Sequence, residues 1–372
     1  MRIGIDARLY TQTGVGRYLK NILRALQKLD VSDEYIVYFR KKDWDLFQPV
    51  SRHWHKKLLD ISWHTITEQI VVPYVLLRDH LDVVHFPYFN VPISYPKKYL
   101  LTIHDLILDH FDTGRASTLP KPLYRIKRLG YSFATKLAVR RASAITVISN
   151  TTKAEVYDHY HVPSEKLFVT YDALDTHFQK TVDTETPVRL FPNKYILYVG
   201  NAYPHKNLER LLQALKIVRK HSLIKLVCAG SDFYFYPRLE RYAKSLGLGD
   251  AVIFFGNAND HDLFNLYSFC SFLVFPSLME GFGLPNLEAL YCNILPVISD
   301  IPVFREIWGE KLPMFNPYSS TDIAGKMVEI LKMSPAKYKQ LVSRAKKNLP
   351  FYDWEKTAKI TRSLYETMYT TQ

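Results

Sequence analysis

Short apolar runs alternate with longer amphipathic segments along most of the chain. In the first half, the runs with the length of buried parallel strands lie at residues 2–6, 35–39, 81–86, 100–105 and 144–149. In the second half they lie at residues 195–200, 224–230, 251–256, 271–276 and 294–299. Segments with helical periodicity, such as 207–219 and 260–268, lie between several of them. This alternation predicts an α/β fold built from two series of βαβ units.

The alternation is interrupted at residues 176–194, a polar stretch with prolines that is typical of a linker. A chain of 372 residues also exceeds the length that a single hydrophobic core usually serves. We therefore predict two Rossmann-like, doubly wound parallel-sheet domains at 1–180 and 190–350, with a terminal helix at about 352–370. Ligands of such domains bind at the carboxyl ends of the strands, so the site is expected in the cleft between the domains.

Composition favours a soluble or peripheral protein with anionic partners. The net charge is +13, and basic residues exceed acidic ones on both sides of residue 180. Nucleotides, phospholipid surfaces, sugar or polyprenyl phosphates and nucleic acid all fit this charge, as does an ordinary basic surface. Cys228, Cys270 and Cys292 lack metal-ligand spacing and lie in or beside apolar runs. Together with the lack of a signal peptide or a membrane-spanning run, they predict a cytoplasmic protein with reduced thiols.

The stretch "MEGFGLPNLEAL", residues 279–290, follows an apolar strand and leads into a helix that begins near Pro285. Glu280 is expected in the turn, and Glu288 about one turn into the helix. Carboxylates accept hydrogen bonds from hydroxyls, whereas backbone amides at a helix N-terminus bind phosphate. The amides expected to face the cleft are those of Phe282, Gly283 and Leu284. A nucleotide sugar offers hydroxyls and phosphates together and would satisfy all of these groups.

Other candidate residues also lie at strand ends, namely Gly14, Gly16, His104, Gly200 and Lys206. The glycine pair lies between the first strand and a helix expected to begin near Arg17, where bare backbone can approach an anion. Lys206 precedes a helix that Asn207 is expected to cap.

Each of these residues also has a plainer interpretation. His104 alone fits a hydrogen-bonded histidine at a strand end, and Lys206 alone fits a solvated lysine. The two glycines form no GxGxxG dinucleotide fingerprint. The Asp-x-Asp strings at 43–45 and 260–262 are better explained as helix caps than as metal ligands. We predict no metal site.

Several motifs in a fixed order resemble those of one known family. They are "RIGIDAR" with "TGVGRY", "TIHDL", "VISNTTKAEV", "LYVGNAYPHKNLERLLQAL", "EGFGLPNLE" and "YDWEKTA". These segments resemble the retaining GT-B glycosyltransferases of family 4, over nearly the whole chain. The "GVGRY" and "PHKNLERL" versions are similar to those of bacterial mannosyltransferases of surface-polysaccharide synthesis. The resemblance implies the GT-B fold, with the terminal helix crossing back to the first domain.

The resemblance also implies roles for the candidate residues. Glu280 would bind hydroxyls of the donor sugar, and Glu288 the ribose hydroxyls. Lys206 would contact the diphosphate and assist its departure. His104 would lie near the hydroxymethyl group of the transferred sugar and the acceptor.

The glycine segments have implied roles as well. Gly14 and Gly16 would let the N-terminal loop approach the diphosphate or acceptor. The family commonly has an arginine after the glycine that ends the first strand of the second domain, but here Gly200 is followed by Asn201. One cation of the usual diphosphate clamp is therefore missing.

The predicted function is hexosyl transfer with retention, with mannose from GDP-mannose as the favoured donor and a glycan or lipid-linked molecule as acceptor. The resemblance implies front-face attack without a metal and without a cofactor other than the nucleotide sugar. Two alternatives stay open: a UDP-sugar donor for glucosyl or N-acetylglucosaminyl transfer, and a non-catalytic scaffold that binds nucleotides or glycans.

Residues 120–142 form a basic segment. From Arg115 to Arg141, both included, there are eight basic residues and no acidic one. One helical face is expected to carry Lys121, Arg125, Arg128, Lys136 and Arg140, and the opposite face Leu123, Ile126, Leu129, Phe133 and Leu137. Such a helix can lie on an anionic membrane at the inner face, or pack its apolar side on the domain. No nucleic-acid recognition module is visible, so nucleic acid is not expected as a partner.

Overall fold

The structure, a computed structural model, describes residues 1–29, 32–111 and 121–371. The chain forms two compact units. The first contains the described residues of Met1–Leu106, Thr118–Asp172 and Asp353–Gln372, and the second those of Ile107–Ser117 and Ala173–Tyr352. The chain therefore leaves the first unit after Leu106 for a short segment, leaves it again after Asp172, and returns at Asp353.

Most strands of the described residues are followed by a helix. The strands are β1 (Arg2–Asp6), β2 (Glu34–Phe39), β3 (Trp54–Leu58), β4 (Val83–Phe86), β5 (Tyr99–Ile103), β6 (Ala144–Val147), β7 (Leu167–Val169), β8 (Tyr195–Val199), β9 (Lys225–Ala229), β10 (Val252–Gly256), β11 (Leu273–Phe275), β12 (Pro296–Ser299) and β13 (Met314–Phe315). The helices are α1 (Thr13–Leu29), α2 (Ile66–Arg78), α3 (Ile107–His110), α4 (Lys121–Arg141), α5 (Asn150–Tyr160), α6 (Thr176–Thr184), α7 (Leu208–Val218), α8 (Phe235–Ser245), α9 (Asp260–Phe269), α10 (Leu284–Tyr291), α11 (Pro302–Trp308), α12 (Ser320–Leu331), α13 (Pro335–Lys346) and α14 (Trp354–Thr370).

The first unit is built on a parallel sheet with the order β3-β2-β1-β4-β5-β6-β7. The order reverses between β1 and β4, and the loops at this reversal lie at the carboxyl edge of the sheet. The second unit has a parallel sheet with the order β10-β9-β8-β11-β12-β13, which reverses between β8 and β11. The predicted α/β class, with two doubly wound parallel sheets, is confirmed.

Helix α14 packs within the first unit, where it lies along α1. Its Tyr365 hydroxyl is 2.7 Å from Nδ1 of buried His85 on β4, and Nε2 of His85 is 2.7 Å from the Thr102 hydroxyl on β5. Thr102 is in turn 2.7 Å from the hydroxyl of Thr146 on β6. Burial lowers the pKa of His85 to about 3, so this imidazole is neutral. These hydrogen bonds join the C-terminal helix to three strands.

The polar stretch at 176–194 was expected to be a linker, but its first half is helix α6 of the second unit. Asp175 caps this helix, because one carboxylate oxygen accepts from the amide of His177 at 2.7 Å. Phe178 is fully buried and contacts the ring of Tyr267 edge-on, with 6.0 Å between centroids. The linker prediction is therefore wrong for residues 176–184.

Candidate functional site

Lys206 and Glu280 meet at the point where the strand order of the second unit reverses. Lys206 follows β8 and Glu280 follows β11, and these strands are neighbours in the sheet. The Nζ atom of Lys206 lies 2.5 Å from Oε1 of Glu280, and both side chains are mostly buried. The hydroxyl of Ser277 donates to the same oxygen at 2.6 Å. The carboxylate is thus held in one orientation by two donors.

This arrangement leaves bonding capacity for a ligand. Among the described residues, no group donates a hydrogen bond to Oε2 of Glu280, and the ammonium of Lys206 keeps two N–H groups after bonding Glu280. The ammonium also lies 5.4 Å from the centre of the Phe275 ring. A hydroxyl could therefore donate to Glu280 while an anionic oxygen accepts from Lys206.

Two further contacts hold the segments of Lys206 and Glu280 together. The amide of Leu278 donates to the carbonyl of His205 at 2.7 Å. The side-chain amide of Asn207 donates to the carbonyls of Pro276 and Pro317 at 3.0 and 2.8 Å. Asn207 occupies the N-cap position of α7 with a left-handed backbone, φ of 60°, but its side chain makes no capping hydrogen bond. The predicted cap is therefore confirmed in position but not in its side-chain bond, because the side-chain amide bonds these carbonyls instead.

The turn before α10 has the expected geometry. Gly283 adopts φ of +91°, and α10 begins at Leu284 with Pro285 in its first turn. Helical geometry leaves backbone N–H groups at this end without acceptors inside the helix. Phe282 is buried and packs edge-on against Tyr352, with 5.1 Å between centroids, so its side chain belongs to the core of the second unit.

Replacing Gly283 by alanine is expected to destabilise this turn. A Cβ atom there would lie 2.7 Å from Cε1 of Phe304, and the positive φ adds backbone strain. We expect the free energy of unfolding of Gly283→Ala to be about 1–3 kcal/mol lower than that of the wild type. Urea unfolding of Gly283→Ala measures this loss. Gly325→Ala is the matched control, since a Cβ on Gly325 meets nothing within 4 Å, and an equal loss in both variants would contradict the prediction.

Glu288 lies about one turn into α10, as predicted, but it is buried. Its Oε2 atom accepts a hydrogen bond from the hydroxyl of Tyr267 at 2.9 Å. This hydrogen bond holds the carboxylate of Glu288 against α9. The ribose-binding role stays a prediction.

The Gly200 loop allows a close approach of two backbone segments. Gly200 has φ of +143° and its carbonyl accepts from the Tyr236 hydroxyl at 2.7 Å. A Cβ on Gly230 would lie 1.9 Å from the same carbonyl oxygen. The side chain of Asn201 accepts from the amide of Tyr203 at 3.3 Å, so it shapes its own loop. Asn201 adds no positive charge.

His104 lies just after β5 in the first unit and is buried. Its Nε2 atom is 3.0 Å from the carbonyl oxygen of Pro87, and its ring contacts Tyr18 edge-on with 4.9 Å between centroids. A carbonyl can only accept, so Nε2 carries the proton and Nδ1 is an acceptor. Burial lowers the pKa of His104 to about 4.

We therefore expect His104 to stay neutral throughout the range from pH 5 to 8. The proton binds His104 less readily than it binds an exposed imidazole, so the titration should lie below pH 5. NMR of labelled histidines would show this, with the signal assigned by its loss in His104→Gln. A midpoint near the ordinary value of about 6.5 would contradict the expectation.

Gly14 and Gly16 were expected before a helix beginning near Arg17, but α1 begins at Thr13 and contains both. The amide of Gly16 donates to the carbonyl of Gln12 at 2.5 Å, which allows the earlier start. A Cβ on Gly16 would lie 2.6 Å from the carbonyl oxygen of Tyr10, whereas one on Gly14 would meet nothing. Gly16 is therefore needed for a close backbone contact, and no such need is seen at Gly14.

The two Asp-x-Asp strings have structural partners. Asp43 is buried and accepts from the hydroxyl of Thr11 at 2.8 Å, and it does not cap a helix. Asn259 and Asp262 form a reciprocal capping box at the start of α9. Among residues 1–29, 32–111 and 121–371, no group of three His, Cys, Asp or Glu side chains is arranged to hold a metal ion.

Sequence reasoning missed several residues around Glu280 and Glu288, namely Ser277, Tyr267 and Asn286. Serine and tyrosine carry no distinctive spacing signal in this chain. Asn286, in the first turn of α10, is fully buried, and its side-chain amide has no hydrogen-bond partner within the described part of the chain. The only feature of the sequence that could have pointed to Asn286 was its position two residues before Glu288.

Comparison with known proteins identifies the class. Residues 12–178 match the family described as Glycosyltransferase Family 4, and residues 186–348 match Glycosyl transferases group 1. The two matches together span most of the chain. The protein therefore belongs to these glycosyltransferases, which have the GT-B fold, and it is a glycosyltransferase enzyme.

Its relatives include bacterial mannosyltransferases. The O-antigen chain mannosyltransferase RfbU of Salmonella typhimurium is 25% identical over 351 residues, covering 89% of this chain and 92% of that protein. The serotype-specific mannosyltransferase WbdA of Escherichia coli is 29% identical over 88% of this chain, which spans only 41% of that longer protein. A GDP-mannose:cellobiosyl-diphosphopolyprenol alpha-mannosyltransferase of Komagataeibacter xylinus is 24% identical over 82% of this chain and 77% of that protein.

Solved structures support the fold. A sucrose-phosphate synthase from Thermosynechococcus elongatus has a TM-score of 0.74 at 18% identity and covers both chains completely. The Anabaena protein Alr3699/HepE, in complex with UDP and glucose, has a TM-score of 0.73 at 16% identity and covers 99% of this chain and 100% of its own. At these identities the likeness shows the fold alone.

Proposed function

We propose that this glycosyltransferase moves mannose from GDP-mannose to a glycan or lipid-linked acceptor, with retention of the anomeric configuration. The observation that carries the proposal is the contact of Lys206, Glu280 and Ser277 where β8 and β11 end. The names of RfbU, WbdA and the Komagataeibacter enzyme support mannose as the sugar. The last of these names also supports GDP-mannose as the donor and a diphosphopolyprenol acceptor.

The chemistry follows from the charges of these groups. The bond from the anomeric carbon to the diphosphate breaks with its electron pair on the leaving oxygen. Lys206 and the amides of Gly283 and Leu284 would stabilise that developing negative charge. Glu280 would accept hydrogen bonds from the sugar hydroxyls. The acceptor oxygen would attack the same face, and its proton would pass to the leaving phosphate oxygen.

In this proposal no carboxylate acts as a nucleophile, unlike in retaining glycosidases. Glu288 would bind the ribose, and His104 the transferred sugar or acceptor. The nucleotide sugar is the substrate, and no further cofactor is proposed.

A nucleotide panel tests the donor. A ligand that binds only the folded protein raises its melting temperature by mass action. If GDP-mannose is the donor, GDP and GDP-mannose should raise the melting temperature more than UDP, ADP and their sugars. Preference for UDP-sugars would replace mannose transfer by the UDP-dependent alternative. Binding of nucleotide without release of nucleoside diphosphate, with plausible acceptors present, would favour the non-catalytic scaffold.

We also propose that the enzyme works at the cytoplasmic face of a membrane, where the basic segment 120–142 would contact anionic lipids. Within that segment, Lys136 and Arg140 are exposed on α4. Among the described residues, no helix is long and apolar enough to cross a bilayer. We propose no nucleic-acid partner, and a steep salt-dependent affinity for generic DNA or RNA would contradict this.

A further inference from the structure

Helix α2 presents an apolar stripe to solvent. Ile66, Ile70, Tyr74 and Arg78 follow each other at intervals of four residues, and all four are exposed. Ile66 is 83% exposed and Ile70 is 68% exposed. The opposite side of the helix is fixed, because Glu68, Val72 and Leu76 are buried. The stripe is therefore a surface feature of a firmly held helix.

The middle of α4 presents apolar side chains as well. Leu129 is 72% exposed and Phe133 is 65% exposed. They lie on the same helical face as Lys136 and Arg140, at positions i, i+4, i+7 and i+11. The prediction that Leu129 and Phe133 lie on a face opposite these basic residues is wrong. Residues Lys121, Leu123, Arg125 and Ile126 lie in the part of α4 whose side chains are outside the described set.

Two sets of contacts place α2 and α4 next to each other within the first unit. The ring of His64, just before α2, contacts Tyr131 of α4 edge-on with 5.3 Å between centroids. The amide of Ile93 donates to the side chain of Gln69 on α2 at 2.8 Å, while its carbonyl accepts from the guanidinium of Arg141 on α4 at 2.6 Å. The exposed apolar side chains of the two helices thus belong to neighbouring surfaces.

On α2 and on the described part of α4, the exposed charged side chains are all basic. Arg78 ends the stripe of α2, with its guanidinium 5.6 Å from the centre of the Tyr74 ring. Lys136 and Arg140 follow Phe133 on the same face of α4. The one acidic residue of α2, Glu68, is buried, and the described part of α4 has none. Exposed isoleucines beside arginines and a tyrosine fit the boundary between lipid headgroups and acyl chains.

We propose that α2 and α4 form one docking face for the surface of an anionic lipid bilayer, with Ile66 and Ile70 inserting among the acyl chains and Lys136 and Arg140 binding lipid phosphates. This extends the membrane contact proposed for residues 120–142 to a second helix. It rests on the proposed function in one respect, since a lipid-linked acceptor gives the docking its use.

Flotation of the full chain with vesicles tests this face. The vesicles contain phosphatidylglycerol and phosphatidylcholine in equal parts, with pure phosphatidylcholine as reference. The test variant is Ile66→Ser/Ile70→Ser. The control is Val50→Ser/Leu223→Ser, because these residues are 68% and 84% exposed and lie outside both helices. Melting temperatures of the two variants show that both fold.

We expect the α2 variant to bind anionic vesicles about tenfold more weakly than the wild type and the control variant to bind normally. Lys136→Gln/Arg140→Gln should lower binding about twenty-five-fold, since each cation near an anionic surface contributes roughly fivefold. Wild-type protein that fails to float, or an α2 variant that floats as well as wild type, would overturn the docking face. So would a wild-type dimer that the α2 variant converts to monomer, which would assign the face to a second copy.

The activity of the α2 variant separates this inference from the proposed function. Transfer to a water-soluble acceptor should be unchanged, whereas transfer to a lipid-linked acceptor in vesicles should fall. Flotation without any transfer activity would reject the proposed function and leave the docking face standing. Sugar transfer without flotation would reject the docking face and leave the proposed function standing.

Discussion

Replacement of Lys206 by methionine is expected to lower kcat/KM for sugar transfer by about 10²- to 10³-fold, the typical effect of removing one preorganised group that stabilises developing charge. Lys206 is held against Glu280 at 2.5 Å before any ligand binds, so its ammonium needs little reorganisation. The variant also leaves the mostly buried carboxylate of Glu280 without its cation. Initial rates of nucleoside diphosphate release, measured with donor and acceptor, give the effect.

A double-mutant cycle with Glu280→Gln sharpens this prediction. If the two side chains act as one unit, Lys206→Met/Glu280→Gln should be little worse than the more damaging single variant. Lys216→Met and Glu209→Gln are matched controls, because both residues are exposed on α7. Full additivity would show that the two side chains act independently, and near-normal activity of Lys206→Met would show that the contact is structural only.

Replacement of Arg8 by methionine should cost the first unit about 3–5 kcal/mol of stability, because it leaves buried carboxylates without a cation. Arg8 is fully buried and donates to both oxygens of Asp6, and it bonds Glu68 of α2 at 2.7 Å. Burial alone would lower the pKa of Arg8, but the two carboxylates outweigh it and raise the pKa. Asn90 donates to the same Asp6 at 2.8 Å.

Urea unfolding with hydrogen exchange of β1 and α2 measures this loss. Lys28→Met is the control, since Lys28 is an exposed cation on α1. Adding Glu68→Gln to Arg8→Met removes one of the unpaired charges and should recover part of the stability. A loss no larger than that of Lys28→Met would mean that the cluster contributes little.

The sheets were predictable because most strands are uninterrupted apolar runs, but β3, β7 and β13 were not. The edge strand β3 carries two consecutive lysines, Lys56 and Lys57, while β7 has three residues and β13 only two. Lysines blunt an exposed edge and hide the apolar signal. Helix α6 was mistaken for a linker because its stretch is mostly polar, with Phe178 as its one buried apolar side chain, and is capped by Asp175.

Part of the site was predictable because ligands of doubly wound sheets bind at the carboxyl ends of the strands. Lys206 and Glu280 are 74 residues apart, and their positions after two strands suggested one edge of a sheet. The direct contact of Lys206 with Glu280 depends on tertiary packing that no local pattern encodes. The exposure of Leu129 and Phe133 was also not predictable, because periodicity indicates which residues share a helical face but not whether other residues cover that face.

The return of α14 to the first unit bears on the order in which the protein folds during synthesis. The first unit lacks this helix, and the buried hydrogen bond of His85 lacks Tyr365, until the ribosome has translated the whole of 173–352. The second unit is nearly continuous in sequence and can complete its core earlier. The nascent first unit therefore cannot complete its interior until translation of the chain has reached α14.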